Sequence, residues 1–326
     1  MVIFLFPGCF LFYLSFIFSR NQMFLKKYSL FILLFLTTCQ LMAQRPSALK
    51  QYLIPFKLTA HNNLSIKGIL NQKDTVELMF HLAASSVTLT EEAIGRIKSV
   101  TFDRTDSVSS WGGAGNTSRH SKSNDLQIGE LTWKNIPIWE NKNSGPSTDG
   151  KFGLDLFKDK IVDIDFEKSK IFIQEELPKN IKKYQKLSID YNDDMMFVTA
   201  QCQVGNTNIS NKFLIHSGYA GSILFDDQFS NANRLSEQLT ITSEKQLKDS
   251  YGNILKTKKA ILSNFTLGDF DLKNIPVGFF DGAIGRQKMS ILGGDVLKRF
   301  NIIIDAKREF IYLKPNKLKD TAYSDV

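Results

Sequence analysis

The feature that most constrains what this chain can fold into is that it repeats itself. Gly153-Leu154-Asp155-Leu156-Phe157, Ile161 to Asp165 and Lys170 to Ile173 recur as Gly293-Gly294-Asp295-Val296-Leu297, Ile302 to Asp305 and Phe310 to Leu313. Gly153 pairs with Gly293, Asp155 with Asp295, Asp165 with Asp305 and Ile173 with Leu313, all at one offset of 140 residues and without a gap. Upstream, Lys134-Asn135-Ile136-Pro137-Ile138 returns as Lys273-Asn274-Ile275-Pro276-Val277 at an offset of 139, and Ser110-Trp111-Gly112 as Ser250-Tyr251-Gly252 at 140. Leu78-Met79-Phe80-His81 faces Phe213-Leu214-Ile215-His216 at 135. The features keep one order in both halves, so the fold is a twofold copy of a unit of roughly 110 to 130 residues, large enough for a core of its own.

Within a unit the apolar runs are short, β-branched or aromatic, and bounded by Gly, Asn, Asp and Lys: Thr75 to Phe80, Val87 to Thr90, Ile161 to Phe166 and Lys170 to Ile173. That spacing predicts strands. Asp163 to Ile173 reads as a hairpin around Glu167-Lys168-Ser169, and Ile302 to Leu313 as its copy around Ala306 to Glu309. Leu156 to Lys160 and Val296 to Phe300 each suit one helical turn, with Asp155 and Asp295 as N-caps. Glu175 to Lys186 holds a Pro, an Asn and four lysines without a strand pattern, which marks a linker. The expected division is a leader at 1–43, a first lobe at 44–178, a linker at 179–190, a second lobe at 191–316 and a tail at 317–326.

The first forty residues carry much of the apolar excess. Read from Met23, Lys26 and Lys27 precede a short apolar run, Tyr28 to Leu36, and Leu41-Met42-Ala43 supplies small-residue cleavage chemistry before Gln44. This is the pattern of a signal peptide, and it predicts a periplasmic or secreted protein. A membrane anchor is the competing reading, because Val2 to Phe18 reaches the lower limit for a span. Membrane association is expected only if that leader is retained. Thr38 before Cys39 is larger than lipid attachment sites prefer. Removing 1–43 leaves 38 basic against 33 acidic side chains, a net charge of +5. The lysine runs at 179–186 and 256–259 lack the interleaved aromatics of a nucleic-acid surface, so no nucleic-acid partner is expected. Cys202 alone remains after the leader, which excludes an intramolecular disulfide and a cysteine zinc cage.

Phe152-Gly153 and Ile291-Leu292-Gly293, each followed by a short helix and a closing hairpin, resemble the late element of the pepsin and retropepsin-like aspartic peptidases. The likeness is closest to the signal-bearing aspartyl-protease-like proteins of bacteria. It covers most of Thr75 to Pro315 and is most specific from Ile291 through Asn301 to Leu313-Lys314-Pro315. The resemblance implies an all-β, bilobal fold of two duplicated barrel-like lobes with an interlobe cleft. It also implies a dyad at the ends of two equivalent strands, where the family carries Asp-Thr/Ser-Gly. Here those ends read Phe80-His81-Leu82-Ala83-Ala84-Ser85 and Ile215-His216-Ser217-Gly218-Tyr219-Ala220-Gly221. Both aspartates are histidine.

Two close carboxylates share a proton and split their pKa values, so that one serves as base toward a water and the other as acid. Paired imidazoles offer neither carboxylate oxygens nor negative charge, so hydrolysis by the family's mechanism is expected to fail. A neutral His can still be a general base, and an active aspartic-type or His-based peptidase stays open as the alternative. Metal binding at His81 and His216 needs a third ligand, and only His61, His120 or a carboxylate is left to supply it. No cofactor is expected. Ser217 adjoins His216, but neighbouring strand side chains point to opposite faces, which argues against a nucleophile. The second lobe keeps Ser217, Gly218 and Gly221. The first has Leu82 and Ala83 in place of the hydroxyl residue and the glycine, so the bracing hydrogen bonds are expected to be lost there.

Ser107 to Ser123 is Gly-rich but lacks the Gly-Lys-Ser/Thr ending of a phosphate loop. By its place in the repeat it matches the family's flap, which puts Trp111 and Tyr251 at equivalent positions, as substrate-stacking or merely exposed aromatics. The function implied is an exported, degenerate peptidase that binds an extended peptide or protein segment in its cleft.

Overall fold

The computed structural model of the chain describes residues 50–110, 113–142, 145, 147–248, 254–281 and 287–324. The expected leader, Trp111 and Tyr251 lie outside the described residues. In the first half the strands are β1 Tyr52–Pro55, β2 Lys57–Leu58, β3 Leu64–Leu70, β4 Asp74–Phe80, β5 Val87–Thr90 and β6 Arg104–Ser110. They continue as β7 Gly113–Ile128, β8 Leu131–Asn141, β9 Gly150–Phe152, β10 Ile161–Asp165 and β11 Lys170–Gln174. The second half repeats the series with β12 Gln185–Ser188, β13 Asp190–Asn192, β14 Met195–Val204, β15 Thr207–His216, β16 Ile223–Leu224 and β17 Thr240–Lys248. It ends with β18 Ile254–Leu267, β19 Phe270–Asp281, β20 Ser290–Gly293, β21 Phe300–Ile304 and β22 Phe310–Pro315.

Period-two patterning closes each half on itself. In β14, Met196, Val198, Ala200, Cys202 and Val204 are buried while the residues between them are more exposed. The first lobe runs β3-β4-β9-β5-β8-β7 and returns to β3 where Ile69 pairs with Gln127 and Leu70 with Leu126. The second runs β14-β15-β20-β16-β19-β18 and returns to β14 where Gln201 pairs with Thr266 and Cys202 with Phe265. Each lobe is thus a closed six-stranded barrel, and the fold is the all-β, bilobal architecture of the aspartic-peptidase type. β6 and β17 lie outside the barrels as outer arms of hairpins with β7 and β18. The repeated Lys-Asn-Ile-Pro motif has a local cause: Asn135 and Asn274 sit in the left-handed region within β8 and β19, at φ 57° and 52°, a conformation Asn tolerates well.

A third, antiparallel sheet, β1-β11-β10-β21-β22-β12, takes strands from both lobes. At its centre Asp163 pairs with Ile303, and these two residues are themselves 140 apart, so the local twofold axis of the duplication passes through them.

Two expectations are corrected here. Part of the segment read as a strandless linker is β12, which pairs with β22 from Gln185–Leu313 to Ser188–Phe310. The helical turns occupy Leu154–Phe157 and Gly294–Leu297, starting two residues earlier than expected, with Gly153 and Gly293 at the N-caps and no side-chain cap. The reason is steric. A Cβ at Gly153 would lie 1.7 Å from the Ala84 carbonyl oxygen and one at Gly293 2.2 Å from that of Gly221, so only glycine lets these backbones cross. Asp155 and Asp295 therefore fall inside the first turn, the former exposed and the latter fully buried.

Candidate functional site

β4 and β15 end beside each other's lobe, and the residues following the two barrel strands turn in the same way. The Ala84 amide donates to the His81 carbonyl at 3.1 Å, as the Tyr219 amide does to that of His216 at 3.2 Å. Each strand end is held in parallel by the late element: the His81 amide donates to the Phe152 carbonyl at 2.9 Å, and His216 pairs with Gly293. The two imidazoles consequently face one another across the lobe boundary, with ring centroids 4.4 Å apart and planes at 74°.

His81 Nδ1 accepts a hydrogen bond from the Ala83 amide at 3.1 Å, so the proton of the neutral ring is on Nε2. That edge lies over Gly218, where a Cβ would come 2.4 Å from Nε2, and the approach requires glycine. Burial first, then the neighbouring His216 and Lys151, hold the His81 imidazole well below its ordinary pKa. Burial pushes His216 down to about 4, with Lys151 acting in the same direction. Both rings are neutral at pH 7.

The brace expected to be lost is kept from one side. Ser217 Oγ accepts from the Leu82 amide and donates to the Phe80 carbonyl, both at 2.9 Å, so a single hydroxyl ties the second lobe to the first where Leu82 can contribute nothing. Ser217 is 1% exposed and does not line the cleft, which places its hydroxyl in positioning rather than attack. Asn62 and Asn63, which sequence reasoning missed, reinforce the loop from the first lobe. Asn63 Nδ2 donates to the Ser217 carbonyl at 2.8 Å and Asn62 Nδ2 to that of Ala220 at 2.6 Å. The Asn-Asn pair has no counterpart in the second copy and carried no signal beyond its polarity before an apolar run.

Above the rings opens a cleft of about 1080 Å³. Its lining follows the duplication: Met79, His81 and Lys151 from the first lobe meet Leu214, His216 and Ile291, their repeat partners, from the second. Thr242, Ser243 and Lys245 of β17, with Thr257, Lys258 and Lys259 of β18, form one wall, as a flap would. No carboxylate side chain lines the cleft among the described residues. Lys151 was also missed as a site residue. The available signal was a charge in one copy where the other has Ile291.

Neither remaining histidine joins the pair. His120 is buried against Trp139, with ring centroids 4.4 Å apart, and His61 is not among the cleft residues. Among the described residues no three His, Cys, Asp or Glu side chains converge. No model of a known protein family matches this chain, and comparison with curated proteins finds no match.

Proposed function

We propose that this protein is an exported relative of the aspartic peptidases that has lost the acid dyad and binds an extended peptide segment in its interlobe cleft. The observation that carries the reading is the pair of facing imidazoles on the cleft floor, at the strand ends where the resemblance puts two aspartates, with no described carboxylate lining the cleft. Such a floor cannot share a proton between acids. What it retains is shape. β17 is the end strand of its sheet and sends Thr242, Ser243 and Lys245 to the cleft wall, which offers unpaired backbone groups for strand addition. The signal-like leader supports a periplasmic or secreted location.

A His-based hydrolase is supported less well. A neutral imidazole is a competent base, but the adjacent hydroxyl of Ser217 is committed to the brace. The test is incubation of the purified protein with casein at acid and neutral pH, with and without pepstatin or a chelator. Intact casein throughout is expected, and cleavage that copurifies with the protein and disappears in a His81→Ala variant would overturn the binding reading. Restoring His81→Asp and His216→Asp together with Leu82→Thr and Ala83→Gly is expected to yield weak peptidase activity at best.

A further inference from the structure

The duplication makes departures from symmetry easy to see, and the one with chemical content is Lys151. It lies in β9 opposite Met79 of β4, and in parallel pairing such residues share a face of the sheet. Met79 and His81, two apart on the chain, share that face as well, so Lys151 projects from the same surface as the imidazole, and all three line the cleft. In the second lobe the corresponding face carries Leu214, His216 and Ile291.

The charge balance of the cleft is one-sided. Lys151, Lys245, Lys258 and Lys259 line it and no described acid does. Lys258 is met from outside the lining by Asp281, at 2.5 Å, and by Glu244. Lys151 makes no ion pair among the described residues, although it is partly buried, and burial lowers its pKa. A desolvated ammonium without a counter-charge is a costly arrangement unless an anion completes it. Beside it, His81 commits Nδ1 to the Ala83 amide and leaves the Nε2–H over Gly218, at the cleft floor, donating to no described residue.

We infer that the cleft floor is a carboxylate seat, in which Lys151 Nζ and the Nε2–H of His81 receive an acidic group of the bound peptide. The floor that in a dyad would repel acids here selects for them. This deepens the peptide-binding reading and rests on it. The carboxylate has two sources, an Asp or Glu side chain within the segment or the α-carboxylate of a chain end, and the probes separate them.

The experiment measures fluorescence anisotropy of the full chain with four labelled peptides at neutral pH. Two are acetylated, amidated octapeptides of apolar residues that differ only in a central Glu or Gln. Two are tetrapeptides of the first half of that sequence, ending as the free acid or as the amide. At least one acid is expected to bind roughly tenfold tighter than its neutral twin, as a charge-assisted hydrogen bond would give. High salt should shrink the preference. Lys151→Ile, which installs the residue of the second copy, should abolish it, and Lys151→Arg should retain it. Thermal unfolding of each variant confirms that the fold persists. Equal binding of acid and neutral twins, or a preference that survives Lys151→Ile, overturns this inference and leaves the peptide-binding reading standing. Failure of all four peptides to bind overturns both.

Discussion

A histidine largely withdrawn from water without an acid beside it favours its neutral form in the folded state, and that makes the cleft floor a liability in acid. His216 is pushed from its ordinary value near 6.5 down to about 4, and His81 well below its ordinary value, chiefly by burial. A group whose folded pKa is depressed binds fewer protons folded than unfolded between the two values, so stability rises with pH across that window and is lost as pH falls through it. For His216 alone, acidification from pH 6.5 to pH 5 costs of order 2 kcal/mol. Replacing both rings by neutral, non-titrating side chains, as His81→Gln with His216→Gln, should therefore reduce the fall in Tm between pH 7 and pH 5 relative to the parent chain. Thermal unfolding across that range checks it, and equal acid losses in the two proteins would show that the imidazoles are protonated without penalty. The same residues explain the role of Gly218. With its absent Cβ only 2.3 Å from His81 Cδ2, any larger residue displaces the ring that defines the floor.

The elements differ in how plainly they were written in the chain. The closing hairpins were legible because an Asp recurs at the start of each turn, and each accepts a turn amide, Asp165 from Lys168 three residues on at 3.0 Å and Asp305 from Phe310 five residues on at 2.8 Å. β12 was not legible, because Gln185 to Ser188 pairs only at the edge of the interlobe sheet and carries no apolar alternation of its own. The helix Glu91–Arg96 was missed for a related reason. It is one short turn and a half, fixed by Thr90, whose side chain accepts from the Ala93 amide, rather than by a long apolar stripe. The histidine pair was read from the repeat, whereas Lys151, Asn62 and Asn63 act across strands and lobes that only the folded chain brings together. β10 shows the converse, a residue that duplication would have made apolar. Asp163 occupies the position of Ile303, one of its carboxylate oxygens is buried without a hydrogen bond, and burial raises its pKa to about 6. With the folded value above the unfolded one, the penalty is absent in acid and grows as pH climbs from about 4 to 6. Asp163→Asn should stabilise the chain by about 1–2 kcal/mol at pH 7, allowing for partial solvent screening, and by little at pH 4. Denaturant unfolding at the two pH values tests this, and a gain that does not depend on pH would contradict the burial argument.

At the scale of the whole molecule, the halves are copies in topology but not in how they end. Residue 299 is a buried Arg where the first copy has the exposed Asp159, and this difference helps to tie down the C-terminal segment. The Arg299 guanidinium donates to the carbonyls of Lys319 and Thr321 at 2.6 and 2.8 Å and stacks on Tyr323 at 3.8 Å. Behind it the fully buried Asp295 pairs with Lys298 at 2.7 Å and accepts from the Ser324 amide at 2.7 Å. Lys298 reaches on to Asn62 of the first lobe at 3.0 Å, and Asn62 holds the loop after His216 through Ala220. Residues 317–324 are accordingly part of the second lobe's packing rather than a free tail, and Ser324 reaches the cleft lining. The first copy runs on into β12, whereas in the second, residues 319–324 pack back onto the helical turn through Arg299 and Asp295. Arg299→Ala leaves Asp295 short of one cation and strips the tail carbonyls of their donor, so a loss of about 3–5 kcal/mol is expected. Because the network runs through Asn62 to the loop that carries His216, the variant should also open the segment after Pro315 to proteolysis and alter the His216 ring resonance in NMR. A destabilised variant whose C-terminal segment stays protected and whose His216 resonance is unmoved would show that the terminus and the cleft floor are packed independently.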